Sequence, residues 1–548
     1  LEHLHPLTAL NGLEPAVALL SKALYERKRI LIVADFDADG ATSCALAVRG
    51  LHLLGAQDVH YVVPNRFEFG YGLTPEIVAV AARQNPDLII TVDNGISSIE
   101  GVLAARRLGI QVLITDHHLP GAALPAADAI VNPNQPGDEF PSKNLAGVGV
   151  IFYVMLALRA QLRASGWFQE NGISEPNLGQ LLDLVALGTV ADVVPLDHNN
   201  RILVAQGLAR IRQGGCNAGI RALIEIAGRQ QGSISASDLG FAVAPRLNAA
   251  GRLEDMSLGI ECLLCDDDTM ARAMAARLDE LNHERRAIET GMQEQAVLAL
   301  AAMKLDMDTL PSGLCLFNPD WHQGVIGILA SRIKDRLHRP VIAFAQTAEG
   351  ELKGSARSVP GLHIRDALDA IAARHEGLLS KFGGHAMAAG LSLKLDDFAA
   401  FSAAFDAEVR RHLSETQMQG LLESDGTLSE DDLHLELAET IRAAGPWGQG
   451  FPEPVFDNIF EVISRRVVGE KHLKLVLREP GDTKLIDAIA FNAIQPDAAS
   501  EPGASATATL APDGIRVNDQ LHIAYRLDIN EYRGERNLQL LVLHMESA

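Results

Sequence analysis

From Arg29 to Asp116, short β-branched apolar runs alternate with segments whose apolar residues recur at helical spacing. "RILIVAD" reads as a strand and "ATSCALAVRGLHLLGA" as the helix that follows it. "VHYVV", "PDLIITVD" and "QVLITD" continue the strands, separated by the helical "PEIVAVAARQ" and "SSIEGVLAARRLG". Such alternation predicts a mostly parallel sheet covered on both faces. Ligands of these sheets bind beyond the carboxyl ends of the strands.

A helical section follows, from "AGVGVIFYVMLALRAQL" to about Leu264. The proline-free run beginning "DDDTMARAMAARL" then predicts one long helix of about ten turns. Strand patterning resumes at "GLCLFNPD", and "VIAFAQ" is a further strand. Between them "WHQGVIGILASRIKDRLHRP" is a helix with an apolar stripe of Ile326, Leu329, Ile333 and Leu337. Its basic face carries Arg332, Lys334, Arg336 and Arg339. This second α/β unit closes near Leu413. Past the linker "GPWGQGFPEPVF", short strands with Gly, Asn and Asp turns predict a small closed barrel of OB type.

Chemistry gathers at the predicted strand ends. Asp35 ends the first strand, Asp37 and Asp39 lie just past it, Asp93 ends the third, and Asp116-His117-His118 ends the fourth. Aspartate often caps helices or starts turns. That accounts for one such residue, but not for all of them beside two histidines. Carboxylates converging on a crevice repel one another unless cations separate them. Carboxylate and imidazole together suit Mn²⁺, Mg²⁺ or Zn²⁺. Two such ions about 3.5–4 Å apart could activate a water and stabilise a leaving oxygen at phosphorus. Asp192, in "LGTVADVVPL", is equally a helix cap or a further ligand.

Phosphate holders are also on offer. Arg66 lies in the loop "VPNRFEFGYGL", and "PRLNAAGRLED" offers Arg246, Asn248 and Arg252 beside small residues. "KGSARS" places Lys353, Ser355 and Arg357 in one short turn, and "FGGHAMAAG" places His385 at an expected helix start, a ready anion site. In the barrel, Arg465, Arg466, Lys471, His472 and Lys474 are candidate backbone contacts, with Phe491 and Tyr525 as stacking platforms.

Hydrophobic residues at 47% and charged residues at 21% describe an ordinary globular chain, and its 548 residues are enough for several cores. A net charge of −23 argues against broad adhesion to nucleic acid, so any basic channel must be local. Five scattered cysteines suggest a reducing compartment, with the cytoplasm as the expected address. No apolar run reads as long enough to span a bilayer, so no membrane partner is expected.

The ordered set "ADFDADG", "VPNRFEFGYGL", "TVDNGISS", "TDHH" and "GTVADVVPL" resembles the DHH phosphoesterase superfamily. "PRLNAAGRLED", "WHQGVIGILASR", "KGSARS" and "FGGHAMAAG" narrow the resemblance to its bacterial single-strand-specific 5′→3′ DNA exonucleases, which carry a DHHA1 domain. The resemblance implies a DHH catalytic domain over 1–264, a long connecting helix over 265–305, a DHHA1 substrate-binding domain over 306–415 and an OB-like nucleic-acid-binding barrel over 416–548. It implies that Asp37, Asp39, Asp93, His117 and Asp192 hold two Mn²⁺ or Mg²⁺ ions, with Asp93 bridging. Asp35 would stand at the edge of the site, since alternation along an extended segment turns it away, and His118 would face the phosphate. Arg66, Arg246, Asn248, Arg252, Ser355, Arg357 and His385 would hold the strand, Arg252 at its 5′-phosphate.

The expected reaction is two-metal hydrolysis of single-stranded DNA from a 5′ end, releasing 5′ mononucleotides, in recombination and repair. The resemblance also implies contact with a single-stranded-DNA-binding protein and a RecQ-type helicase. Two alternatives compete. One is a DHH phosphodiesterase of short oligonucleotides, cyclic dinucleotides or pyrophosphate; the other is a strand-binding scaffold without activity.

Overall fold

The computed structural model describes residues 2–64, 72–121, 123–302, 310–347, 349–375, 377–384, 387–469, 472–491, 493, 514–532 and 535–548. They form two compact units, Leu1–Arg286 with Pro446–Pro452, and Ala287–Gly445 with Glu453–Ala548.

In the first unit β1 (Ile30–Ala34), β2 (Val59–Val62), β3 (Leu88–Val92), β4 (Gln111–Thr115) and β5 (Ala129–Val131) form a sheet of order β2-β1-β3-β4-β5. Every pairing is parallel. The alternating pattern anticipates the first four strands. β5 is only three residues long and was not anticipated. Along β1 and β3 side chains of alternate residues enter different cores. Ile30, Ile32, Leu88 and Ile90 pack with the helices Ala38–Leu53 and Gly147–Ala164. Leu31, Val33 and Ile89 pack with the helices Pro75–Ala82 and Ile99–Arg107 on the other face. That is why these strands read as continuous apolar runs.

Register decides what the sheet presents at its edge. Ala34 pairs with Val92, and Val92 with Thr115, so β1, β3 and β4 end level. The next residues are Asp35, Asp93 and Asp116. The strand order reverses between β1 and β3, which is where open parallel sheets leave a crevice for a ligand.

One helix departs from the expectation about apolar length. Gly147–Ala164 is 18 residues long with mean hydropathy 1.3, enough to cross a bilayer by length and composition, and 61% of it is buried. It is the central helix of the first core. The predicted long helix is present as Asp268–Ala302.

In the second unit β6 (Leu314–Phe317), β7 (Val341–Gln346), β8 (Glu351–Arg357), β9 (Lys381–Gly384) and β10 (Ala388–Lys394) form a mixed sheet of order β6-β7-β8-β10-β9. One local expectation is corrected there. "KGSARS" runs along β8 rather than in a turn, so Lys353, Ser355 and Arg357 share one face by the two-residue period of a strand. "FGGHAMAAG" contributes residues to β9 and β10, and the helix start expected at His385 lies outside the described residues. A closed barrel follows, of β11 (Phe456–Val468), β12 (His472–Arg478), β13 (Ile486–Ala490), β14 (Gln520–Tyr532) and β15 (Glu535–Ser547), in order β11-β12-β13-β15-β14. Tyr525 is wholly buried inside it and its Oη donates to Asn458 Oδ1 at 2.7 Å, so it is no stacking platform. Phe491 is 55% exposed and remains available. Lys471 lies outside the described residues.

The helix Ala244–Leu253 presses on the loop that carries the first aspartates. A Cβ added at Gly251 would lie 1.9 Å from the Phe36 carbonyl oxygen. Gly251→Ala is therefore expected to displace that loop and cost about 1–3 kcal/mol, read as a lower urea midpoint.

Candidate metal centre

Each acidic residue at the sheet edge is held by a different local device. Asp37 caps the helix Ala38–Leu53, its Oδ1 accepting from Gly40 N–H at 2.9 Å. Asp39, in the first turn, is buried and lies against the start of the helix Gly147–Ala164. Its carboxylate accepts from the N–H of Gly147 at 2.7 Å and of Val148 at 2.9 Å. Two glycines make room: a Cβ at Gly147 would sit 2.6 Å from Asp93 Cβ, and one at Gly188 2.9 Å from Asp39 Oδ1.

Asp93 leaves β3 in the left-handed region, at φ +60°, while its N–H donates to Thr115 O at 3.0 Å. Asn94 joins the neighbouring strand ends, its Nδ2 donating to Val33 O at 3.0 Å and Val92 O at 2.9 Å. Asp192 follows the helix Leu182–Ala191, its N–H bonded to Gly188 O at 3.0 Å.

Asp116 organises the histidines. It is buried, and its carboxylate accepts from the N–H of Ile96 (2.8 Å), His117 (2.7 Å) and His118 (3.1 Å). His118 Nδ1 lies 2.7 Å from the same carboxylate. Asn134 and Asn132 hold the carbonyls of His117 (2.6 Å) and His118 (2.9 Å). So fixed, His117 Nε2 stands 3.2 Å from Asp93 Oδ1 and 3.4 Å from Asp192 Oδ2.

The donor atoms fall into three groups, each mutually within 4.8 Å: Asp93, His117 and His118; Asp39, His117 and Asp192; Asp35, Asp37 and Asp93. Asp93 and His117 each belong to two groups. Asp35 corrects an expectation. The chain changes direction over Phe36 and Asp37 before the helix begins, and the Asp35 carboxylate lies within 4.8 Å of those of Asp37 and Asp93 instead of turning away.

The electrostatics are those of crowded anions. Burial, with Asp37 beside it, pushes Asp39 up to about 7. Burial and the charges of Asp39 and Asp37 raise Asp93 and Asp192 well above the carboxylate range. Asp116 goes the other way. Burial opposes its ionisation, but the His118 charge and hydrogen bond, with His117 and the Ile96 N–H, outweigh it and hold the carboxyl at about 2. Burial likewise disfavours charge on His118, and Asp116 overrides it, lifting the imidazole to about 9. Carboxylate oxygens and one imidazole nitrogen, strained by their own repulsion, fit hard divalent cations.

Family models match along the chain: the N-terminal domain of the DHH family over residues 29–189, the DHHA1 domain over 310–411 and the RecJ OB domain over 424–544. Over 537 residues the chain is 56% identical to the single-stranded-DNA-specific exonuclease RecJ of Dickeya dadantii, covering 98% of this chain and 90% of that protein. The chain belongs to the RecJ family. RecJ of Escherichia coli is 54% identical over 98% of this chain and 90% of its own. The crystal structure of RecJ in complex with Mn²⁺ from Thermus thermophilus matches with a TM-score of 0.77 at 31% identity, covering 98% of this chain and 72% of that one. The resemblance to DHH proteins with DHHA1 and OB domains is thereby borne out.

The residues expected to hold a strand belong to both units, and two of them are not described. Arg66 and His385 lie outside the described residues. Arg246 is a correction: it is buried, ion-paired with Asp279 at 2.8 Å and donating to Ala242 O, so its guanidinium ties two helices together and is not presented to a ligand. Asn248 Oδ1 accepts from Ala38 N–H at 2.9 Å, fixing the start of the metal loop. Arg252 is half-buried in the last turn of the same helix. Ser355 and Arg357 belong to the second unit, where Arg357 Nη1 donates to Ser355 Oγ at 3.2 Å.

Sequence reasoning quoted Asp116 within "TDHH" but gave it no role, and it passed over Asn94, Asn132 and Asn134. The signal for the asparagines was the "NPN" just past β5 and the Asn after Asp93, polar residues level with the site once the sheet register is known.

An acid pushed up by the fold holds its proton more tightly folded than unfolded. Without metal, Asp39 therefore costs the fold stability as pH rises from 3.8 to about 7. His118 acts in the same direction, its contribution complete below 6.5 and lost as pH rises through about 9. In EDTA the Tm should fall between pH 6 and pH 8, and saturating Mn²⁺ should restore it at pH 8. Asp93→Asn should raise the EDTA value at pH 8 and lose most of the Mn²⁺ gain, as calorimetry can measure.

Proposed function

We propose that this chain is a metal-dependent exonuclease that hydrolyses single-stranded DNA from the 5′ end, releasing 5′ mononucleotides, in recombination and repair. The observation that carries the reading is the convergence of Asp35, Asp37, Asp39, Asp93, His117 and Asp192 at the switch point of a RecJ-family sheet. These residues would hold two Mn²⁺ or Mg²⁺ ions, and Asp93 offers a donor to two of the three groups. When bound, the ions supply an activated water and positive charge for the leaving oxygen.

The chain's own residues do the rest. Asp116 keeps His118 protonated with Nδ1 engaged, which leaves Nε2 to donate to a phosphate oxygen and offset the charge that develops there. Gly147 and Val148 fix the Asp39 carboxylate, and Asn248 fixes the loop. Arg252 is assigned to the 5′-phosphate, which a guanidinium can grip with two parallel hydrogen bonds. Arg66, Ser355, Arg357 and His385 are assigned to the strand. In this reading 1–264 is catalytic, 265–305 is the connecting helix, 306–415 holds the substrate, and the barrel over 416–548 binds the strand behind it. A single-stranded-DNA-binding protein and a RecQ-type helicase are the proposed partners. The proposed location is the cytoplasm, with which the five free cysteines agree.

Digestion of 5′-tailed, 3′-tailed and blunt DNA with the metal varied tests strandedness, polarity and cofactor together. The 5′-tailed substrate should be consumed in Mn²⁺ or Mg²⁺ and spared in EDTA. Asp93→Ala should lower the rate at least about a hundredfold, since losing even an outer contact of a metal ligand costs about 10–100-fold. Full activity in that variant, or strong preference for a dinucleotide over a long strand, would overturn the reading.

A further inference from the structure

The linker "GPWGQGF" does not simply connect. Pro446–Pro452 belongs to the first compact unit, although Gly445 before it and Glu453 after it belong to the second. It folds on itself through a bridge between Gly448 and Phe451, and the rings of Trp447 and Phe451 stack with centroids 5.0 Å apart and planes within 9°. Phe451 packs against the first core, and the guanidinium carbon of Arg201 lies 3.7 Å from its ring centroid.

The segment lies on the turn that follows Asp192. Leu196 N–H donates to Gln449 O at 2.7 Å. Gly448 and Gly450 sit so close to Leu196 and Pro195 that an added Cβ would come within 2.8 Å and 3.1 Å of their side chains. This turn needs outside support, because Val193 is in the left-handed region at φ +60° and is 64% exposed. A β-branched residue there is strained, and such conformations persist only where the surroundings impose them.

We propose that Pro446–Pro452 is a positioning element for the metal centre, a strap that fixes the Asp192 carboxylate by clamping Pro195 and Leu196, with the Phe451–Arg201 contact as its latch. This rests on the reading of Asp192 as a metal ligand. Groups that orient a ligand typically change metal affinity by about 10- to 100-fold when removed. The strap reaches Asp192 through a few residues of backbone, so an effect of about tenfold is expected.

The test is Mn²⁺ titration by calorimetry on the full chain without DNA. Phe451→Ala and Arg201→Gln should each weaken Mn²⁺ binding about tenfold, while Phe451→Tyr, which keeps the ring, should match the parent. In an Asp192→Asn background, Phe451→Ala should add no further loss, because coupled residues are not additive. If the parent chain binds Mn²⁺ and both single variants bind it equally well, the strap has no such role and the metal reading stands. Equal losses with and without Asp192 would reduce the strap to a structural contact. If the parent itself binds no Mn²⁺, the reading of Asp192 and this proposal fall together.

Discussion

Repulsion among carboxylates at one edge of a parallel sheet is the constraint from which the rest of the first unit follows. Asp35, Asp37, Asp39, Asp93 and Asp192 could not be crowded together by chain collapse alone, since each prefers water to its neighbours. Rigid elements hold them there: three strands that end level, a helix cap at Asp37, and a helix start that grips Asp39 with two backbone N–H groups. The sheet and its helices bury enough apolar surface to carry that cost. A divalent cation then removes it, so binding and stability are two faces of one arrangement.

Asp116 shows how little of this depends on residue type. It is as buried as Asp93 and only a strand away, yet it stays ionised while Asp93 is pushed toward the neutral acid. The difference is the neighbours. Asp116 meets backbone N–H groups and an imidazolium, whereas Asp93 meets Asp39 and Asp37. One carboxylate therefore builds the scaffold, ordering the His117–His118 turn, and the other keeps its demand for a cation. This division also fixes the His118 ring, whose Nδ1 is committed to Asp116.

What was legible in the sequence follows a physical line. Strand ends were legible because apolar runs stop abruptly at aspartate, and a parallel sheet aligns those stops. Backbone direction after the stop was not legible, which is why Asp35 was expected to turn away: the chain changes direction over Phe36 and Asp37 and undoes the alternation. Turn-like composition misled at "KGSARS", where a small residue serves close strand packing. Gly354 shows the reason, since a Cβ there would meet Phe344 Cε1 at 2.5 Å. Long-range pairing was invisible as well. Nothing near Arg246 in sequence announces Asp279, and nothing in "GPWGQGF" announces Leu196.

The same pairing bears on how so acidic a chain can hold an anionic strand. Many of its cations are already spent. On the helix Ile326–Leu337 and just past it, the expected basic face is largely committed: Arg332 pairs with Glu289 at 3.1 Å, Lys334 with Asp335 at 2.6 Å, and Arg339 donates to the carbonyls of Leu310 and Pro311. In the barrel Lys474 pairs with Asp487 at 2.7 Å and Arg478 with Glu461 at 2.8 Å. Partnered surface cations add little attraction for phosphate, because each contact must first surrender a carboxylate. The uncommitted positive charge is then greatest where divalent cations sit at the sheet edge. A chain with a net charge of −23 thus has little nonspecific grip along a duplex. Its hold is local, where the charge of the cations reverses the sign of the crevice, and that suits an enzyme that works at an end.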